Sequence, residues 1–568
     1  CYAENGEVVN TSNKERISYA NLVSVAAKLK GPKASEVKLK NPKDYKIIGQ
    51  RKSGVDNAKV VEGVPLFGID QTPKGFKHAS FVRCPVFGGD IVKANLEEVK
   101  ALEGVEDAFV LKKNEAYSAG VAIIADTTWQ AFEAQKTLKV EWDTGAHGAE
   151  NSEKLQAEAD RLIDQYKQSK KKISKDEIEA TYSFPFLAHN TLEPMNATVV
   201  YEKGKFEVWV PVQAPARVIS EISTIFKVSP KKVKVNVTRS GGGFGRRINW
   251  DFAVEAAGIA KKMPGTPIKL TWTREQDMAQ DYYRGAGWMH FSGAVNEVGK
   301  ISSWSHYVIG IGSSKERAGI GGNLNKKNFP EGYIKNINAS ASSVKSNTPL
   351  GWWRAPGSNG HAFGILSFID ELAHQAGRDP LEFNLELLKQ GDKKASMSPK
   401  RMLKAVNAVA KKADWGKDLP KGKGQGIAYY YSHRGYVAVV AEVTVTREGK
   451  LSVDKLTAGV NVGKIINPSG AEQQVIGSML DGLSSSLYQE IKLKDGAVQN
   501  SNFHDYPVLR MPQVGQCDVV FVEDDDPPTG LGEPALPPAI PAICNAIFAA
   551  TGKRLRSLPI TGHDLSWS

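Results

Sequence analysis

A single carboxylate, Glu533, stands in "GLGEPALPPAIPAICNAIF" (530–548), between a glycine turn and a proline-rich entry to an apolar segment. No lysine or arginine is adjacent to it in the sequence. An acid so placed either caps the helix that follows or performs proton chemistry. In "TPLGWWRAPGSNGHAFG" (348–364), a glycine-rich loop sets Arg354 behind two tryptophans. A guanidinium there suits a developing negative charge on a bound substrate, or packs as a stacked arginine within the loop. In "SGGGFGRR" (240–247) three consecutive glycines allow a backbone to approach a ligand closely, and N–H groups ahead of a helix favour an anion. The same stretch also reads as a plain tight turn. It matches neither the dinucleotide spacing G-x-G-x-x-G nor a P-loop, which argues against a nucleotide site. His189 and Glu193 in "HNTLEPMNA" and Gln213 in "VPVQAPARV" fall at strand ends. Taken singly, each is the kind of polar residue that is usually satisfied by its surroundings.

The elements that must position these residues follow from periodicity. "KVKVNVT" alternates as a strand before the glycine loop, and "DFAVEAAGIAKK" is helical after it. "ATVVYE" and "KFEVWVPV" read as strands and "PARVISEISTIF" as a helix. Behind Arg354, "GILSFIDELAHQAG" repeats apolar residues at helical spacing and stops at Gly377. Asp379, Pro380 and Glu382 announce the next helix as N-cap, first-turn proline and capping-box acid. "VAVVAEVTVTREGKLSVDKLTAGV" alternates as a hairpin, "AEQQVIGSMLDGLSSSLYQEI" is helical, and a last helix over 539–551 is closed by Gly552. The strand and helix runs between 46 and 146 predict a small mixed α/β domain. Residues 1–45 hold one short apolar-periodic stretch, "SYANLVSVAAKL", and a lysine- and proline-bearing link, which predicts a tail and linker.

At 568 residues the chain has room for three or four structural units. Apolar residues make up 41% and charged residues 24%, and no apolar run reaches a membrane span, so a transmembrane role is not expected. The net charge of +12 is spread along the whole length, which argues against nucleic acid as a partner. Its densest cluster, "YKQSKKKISK" (166–175), reads as a solvated helix end or as a docking patch for an acidic partner. Four dispersed cysteines (Cys1, Cys84, Cys517, Cys544) form neither a disulfide framework nor a metal or iron–sulfur pattern. The ten histidines do not pair at ligand spacing, so no metal held directly by side chains is expected.

In order, "GGGFG", "WRAPGS", "QQVIGSMLDGL" and "GLGEPALPP" resemble the molybdenum-binding large subunit of the xanthine oxidase and aldehyde oxidase family. "IIGQ", "DNAKVVEG", "PLFGID" and "VRCPVFGG" make the β subunit of the isoquinoline 1-oxidoreductase type the nearest likeness, from about residue 46 to the end. The resemblance implies an α+β fold: a small α/β hammerhead-like domain (46–146), then two larger mixed α/β molybdopterin-binding units (147–430 and 431–568). It implies molybdenum on a pterin cofactor that needs no protein ligand to the metal. Gly243, Phe244 and Gly245 would lie against that cofactor, Gln213 near the metal's oxo ligand and Gln474 on the pterin. Arg354 would face the substrate. Glu533 would act as the base of a water-derived hydroxylation of an aldehyde or N-heteroaromatic ring, and a buried, unpaired carboxylate would suit that task because desolvation raises its pKa. Electrons would leave through a [2Fe–2S] subunit, with a c-type cytochrome beyond it, in the periplasm, where membrane association would come through partners.

Three departures qualify the likeness. The glutamate that orients purines in some members is replaced by Ile248, which disfavours purines. Asn384 stands where many members have an arginine that reaches the pterin phosphate; Arg246 or Arg247 would substitute, or the pterin would carry an added nucleotide such as cytosine. The family's "MGQG" loop and its serine-rich companion are not found, so residues 1–45 read as the tail of an upstream unit supplied by another polypeptide or freed by a cut. A cofactor-less binding or scaffold subunit of such a complex is the alternative.

Overall fold

The computed structural model of the chain describes all residues except 115–116, 171–175, 315–317, 320–321, 323–327, 393–394 and 525. The last five residues of the lysine cluster therefore lie outside the described part, and the helix before them runs Ser152–Ser169. Two units are distinguished, Cys1–Gln50 and Arg51–Ser568. In the first, the apolar-periodic stretch forms a helix, Tyr19–Ala26, with the Ser18 side chain accepting from the Asn21 N–H. It is preceded by three short antiparallel strands, Tyr2–Glu4, Glu7–Val9 and Arg16–Ser18, which were not expected. Three-residue strands are too short to show a period of two.

Among the described residues, the second unit is built on three larger sheets, with two two-stranded sheets beside them. One is seven-stranded, in the order Val233–Val237, Lys205–Val210, Asn196–Glu202, Ile268–Thr271, Lys77–Arg83, Gly120–Ala125 and Val105–Leu111. Lys77–Arg83 pairs in parallel with Ile268–Thr271, so this sheet crosses residue 146 without a break. Its strands carry β-branched residues on a face covered by the helix Asp251–Lys262, which is apolar enough to be buried over its first ten residues. A four-stranded sheet joins Ile178–Phe184, Gly287–Val295, Ile301–Gly312 and Ile337–Lys345. The third sheet contains the expected hairpin, Gly435–Val445 with Leu451–Asn461, flanked by Lys423–Ser432 and Gln516–Phe521.

One apolar core joins the two four-stranded sheets through the helices Ser358–Gln375 and Leu536–Thr551. The latter comes so close to strand Lys423–Ser432 that a Cβ on Gly426 would overlap the Ala542 carbonyl oxygen. Helix ends are where local chemistry puts them. Asp379 accepts from the Glu382 N–H, Pro380 opens its helix, and Gly377 and Gly552 adopt left-handed φ of 63° and 75°. Among the described residues no helix is long and apolar enough to cross a membrane.

Candidate active site

Four stretches far apart in sequence meet at Glu533. Glycine permits the left-handed backbone at Gly242 (φ 102°) and Gly245 (φ 107°), so the 240–247 loop doubles back on itself after strand Val233–Val237. Gly245 is pressed so tightly on the next loop that a Cβ there would overlap the Trp352 carbonyl oxygen. The Gly245 N–H donates to Gln213 Oε1 (3.3 Å), and a Cβ on Gly243 would lie 2.7 Å from that same oxygen. The Arg354 N–H donates to the Phe244 carbonyl (3.0 Å) and joins the glycine loop to the tryptophan loop.

Residues 354 and 355 then hold the acid. Arg354 donates from Nε to the Gly532 carbonyl (2.5 Å), from Nη1 to Asp481 Oδ2 (2.7 Å) and from Nη2 to the Gln474 carbonyl (3.2 Å). The Ala355 N–H donates to Glu533 Oε1 (3.0 Å), and the Ser478 hydroxyl donates to the Glu533 carbonyl (3.2 Å). Gln213, Gly243, Phe244, Gly245, Arg354, Gln474 and Glu533 are thus gathered into one connected set. Gln213, Phe244 and Gln474 expose their side chains around it.

Several expectations change in detail. Glu533 is not an isolated buried acid: its side chain is 36% exposed, and His433 Nε2 lies 3.1 Å from Oε2. Nor does it cap the last helix, whose N-cap is Ala535 without a side-chain hydrogen bond. Arg354, expected against the substrate, is 9% exposed, and its guanidinium is turned onto Gly532, Asp481 and Gln474. Arg246 and Arg247, considered for a pterin phosphate, are wholly buried. Arg246 forms a bidentate pair with Asp251 (2.9 and 2.8 Å) and meets Asp281. Arg247 donates to the carbonyls of Gly242, Pro211 and Glu193 and to the Glu193 carboxylate. Asn384 is buried in its helix, and its side-chain N–H donates to the Pro380 carbonyl.

Under the glycine loop lies a buried ionic layer. Glu193 accepts from the Gly241 N–H (2.6 Å) and from Arg247, and so anchors the loop from below. The His189 N–H and Nδ1 engage Asp281. Burial lowers Arg247 to about 10, partly offset by Glu193. Burial raises Asp277 to about 6 and Glu255 to about 8, against the pull of Arg274 and Arg83 respectively. For Asp281 burial also acts upward, but His189 and Arg246 outweigh it and its carboxyl is lowered. Of these groups Glu193 and Arg247 bind the loop's backbone directly, at the Gly241 N–H and the Gly242 carbonyl. His433, Asp481 and Ala355 were not singled out from the sequence, since nothing in their local pattern marks them.

Among the described residues no group of three or more His, Cys, Asp or Glu side chains is placed to hold a metal. The four cysteines are free, with Cys84 and Cys544 buried. What the site offers is a pair of exposed side-chain amides, a close-packed glycine loop and one carboxylate. Such a donor set fits an organic cofactor that carries its metal on ligands of its own. The His189 Nε2 under Gly245 is buried and has no protein partner, a further polar atom on this side of the loop.

The fold and site define a molybdopterin-binding subunit. Two models of the molybdopterin cofactor-binding domain match residues 156–386 and 369–515. The chain is 27% identical to a membrane-bound aldehyde dehydrogenase [pyrroloquinoline-quinone] of Gluconacetobacter polyoxogenes, over 94% of this chain and 74% of the relative. It is also 27% identical to the isoquinoline 1-oxidoreductase subunit beta of Brevundimonas diminuta, over 94% of this chain and 71% of the relative. Quinoline 2-oxidoreductase from Pseudomonas putida 86 shares the fold at a TM-score of 0.72 and 13% identity, over 90% of this chain and 97% of that one. The chain belongs to the molybdenum-binding large subunits of the xanthine oxidase and aldehyde oxidase family, and is an oxidoreductase subunit that binds a molybdopterin cofactor.

Proposed function

We propose that this chain is the molybdenum-bearing subunit of a hydroxylase that oxidises an aldehyde or an N-heteroaromatic ring with oxygen from water. The observation that carries the reading is the hold on Glu533: Arg354 fixes the carbonyl before it and Ala355 its carboxylate, beside the exposed Gln213, Phe244 and Gln474. The names of the relatives, an aldehyde dehydrogenase and an isoquinoline oxidoreductase, support those two substrate classes, and Ile248 in place of an acid disfavours purines. When bound, the cofactor supplies the two-electron oxidation of a substrate carbon. Gln213, Gly243, Phe244, Gly245 and Gln474 hold it in place. Glu533 takes up the proton that water releases as its oxygen joins the substrate, at a carboxylate whose direction is set by the Ala355 N–H. Arg354 acts through the loop, as the residue that sets where Glu533 stands.

The proposal includes a [2Fe–2S] subunit as the first electron acceptor, a c-type cytochrome beyond it, a polypeptide that completes the pterin pocket, and a periplasmic location. Its units are 46–146, 147–430 and 431–568, with the seven-stranded sheet shared across the first division. Metal analysis of the native complex tests it first: about one molybdenum per chain is expected, and protein that is clean of the metal would leave the cofactor-less scaffold. Glu533→Gln should keep the metal and slow turnover by about 10²- to 10⁴-fold, the usual contribution of a positioned base. Near-normal turnover of that variant would take Glu533 out of the mechanism.

A further inference from the structure

The turn that faces Glu533 is built against its own local preference. Strands Lys423–Ser432 and Gly435–Val445 pair up to Ser432 and Gly435, which leaves a two-residue turn of His433 and Arg434 with φ of 50° and 66°. Turns of this shape need left-handed backbone at both positions and select Asn-Gly or Gly-Gly. A histidine and an arginine are costly there, and such strain is kept where the surroundings use it. The use is visible at the side chain. His433 Nε2 stands 3.1 Å from Glu533 Oε2, while Nδ1 lies 2.8 Å from Ser432 Oγ, itself 2.9 Å from Ser358 Oγ. Ser432 is buried, and it therefore fixes the ring's far side. An ionised carboxylate only accepts hydrogen bonds, so Nε2 carries the proton in the contact to Glu533.

We infer that His433 is a positioning residue for the base: it donates from Nε2 to Glu533 Oε2 while the Ala355 N–H donates to Oε1, so that the carboxylate is held at both oxygens. This rests on the reading of Glu533 as the base. With one oxygen fixed by backbone alone the carboxylate could still rotate about its last bond. The second donor removes that freedom and leaves one lone pair on each oxygen for the reacting proton. Arg434 lies in the same turn, and Arg354, paired with Asp481, binds the Gly532 carbonyl next to Glu533.

The test uses the holoenzyme and two variants, with melting temperature measured on both because Gln tolerates the left-handed φ at position 433 less well than Asn. Asn adopts left-handed φ readily and reaches only as far as Nδ1, whereas Gln places a donor near the Nε2 position. His433→Asn should lower kcat about 10-fold or more, as loss of one hydrogen bond to a charged group does, with KM and molybdenum content unchanged. His433→Gln should recover most of that loss. Equal kcat in the two variants would overturn the inference, as would a loss that appears only in KM. A second readout does not depend on turnover: in ¹⁵N-imidazole spectra Glu533→Gln should move the His433 resonances and leave the other nine histidines in place. Unmoved His433 resonances would also overturn it. If Glu533→Gln turns over normally, the reading of the base has failed; if it is inactive while His433→Asn is normal, only the role of His433 has failed.

Discussion

Replacing Arg354 by lysine separates a residue that binds substrate from one that places the base. The guanidinium serves three acceptors at once: the Gly532 carbonyl, Asp481 and the Gln474 carbonyl. A lysine is a point charge on a flexible stem and can keep the Asp481 contact but not the fork. Each backbone contact contributes about 1 kcal/mol, so the variant loses about 2 kcal/mol from the tie between the helix Pro468–Leu487 and the Glu533 loop. The Asp481 side chain is 35% exposed, so its pairing adds little to this difference. If the lost tie is felt in the transition state, kcat falls about 30-fold. Steady-state kinetics on the molybdenum-loaded enzyme, with metal content measured on the same preparation, give the answer. KM should stay within about twofold, because Arg354 acts through the position of Glu533 and not through a contact to bound substrate. A raised KM at unchanged kcat would refute the reasoning and put Arg354 against the substrate. Loss of molybdenum would make it a cofactor-retaining residue.

Two further outcomes follow from the packing and the buried charges. Gly245→Ala forces a left-handed residue and a Cβ into the Trp352 carbonyl, and should cost more than about 2 kcal/mol of stability or the folded state itself, read by thermal denaturation and soluble yield. Glu255 is raised to about 8 by burial, so the folded protein binds more protons there than the unfolded chain between about pH 4.5 and 8. Its contribution to stability is therefore largest on the acid side and declines as pH rises through that window. Glu255→Gln, which stays neutral, should have a melting temperature that falls less than the wild type's between pH 5 and pH 8; parallel curves would contradict the assignment.

The primary structure alone determined the pieces whose causes are local. The cap at Asp379 and Pro380, the stop at Gly552, the hairpin from Gly435 to Asn461 and the helix behind Arg354 depend on residues within a few positions of one another, and they form where period and turn chemistry place them. The order of the four motifs likewise sufficed to suggest the family and to collect the residues that meet at the site. What those residues do to one another was settled by topology. Arg354 and Gly532 are 178 residues apart, and only the packing of Ser358–Gln375 against Leu536–Thr551 turns the guanidinium inward onto that carbonyl. The same packing brings a hairpin tip to Glu533 and gives it His433 as a partner. Arg246 and Arg247 look available in a glycine-rich string, yet the ionic layer beneath the loop claims both. Burial and pairing depend on which distant segments are stacked together, and a linear pattern carries no record of that.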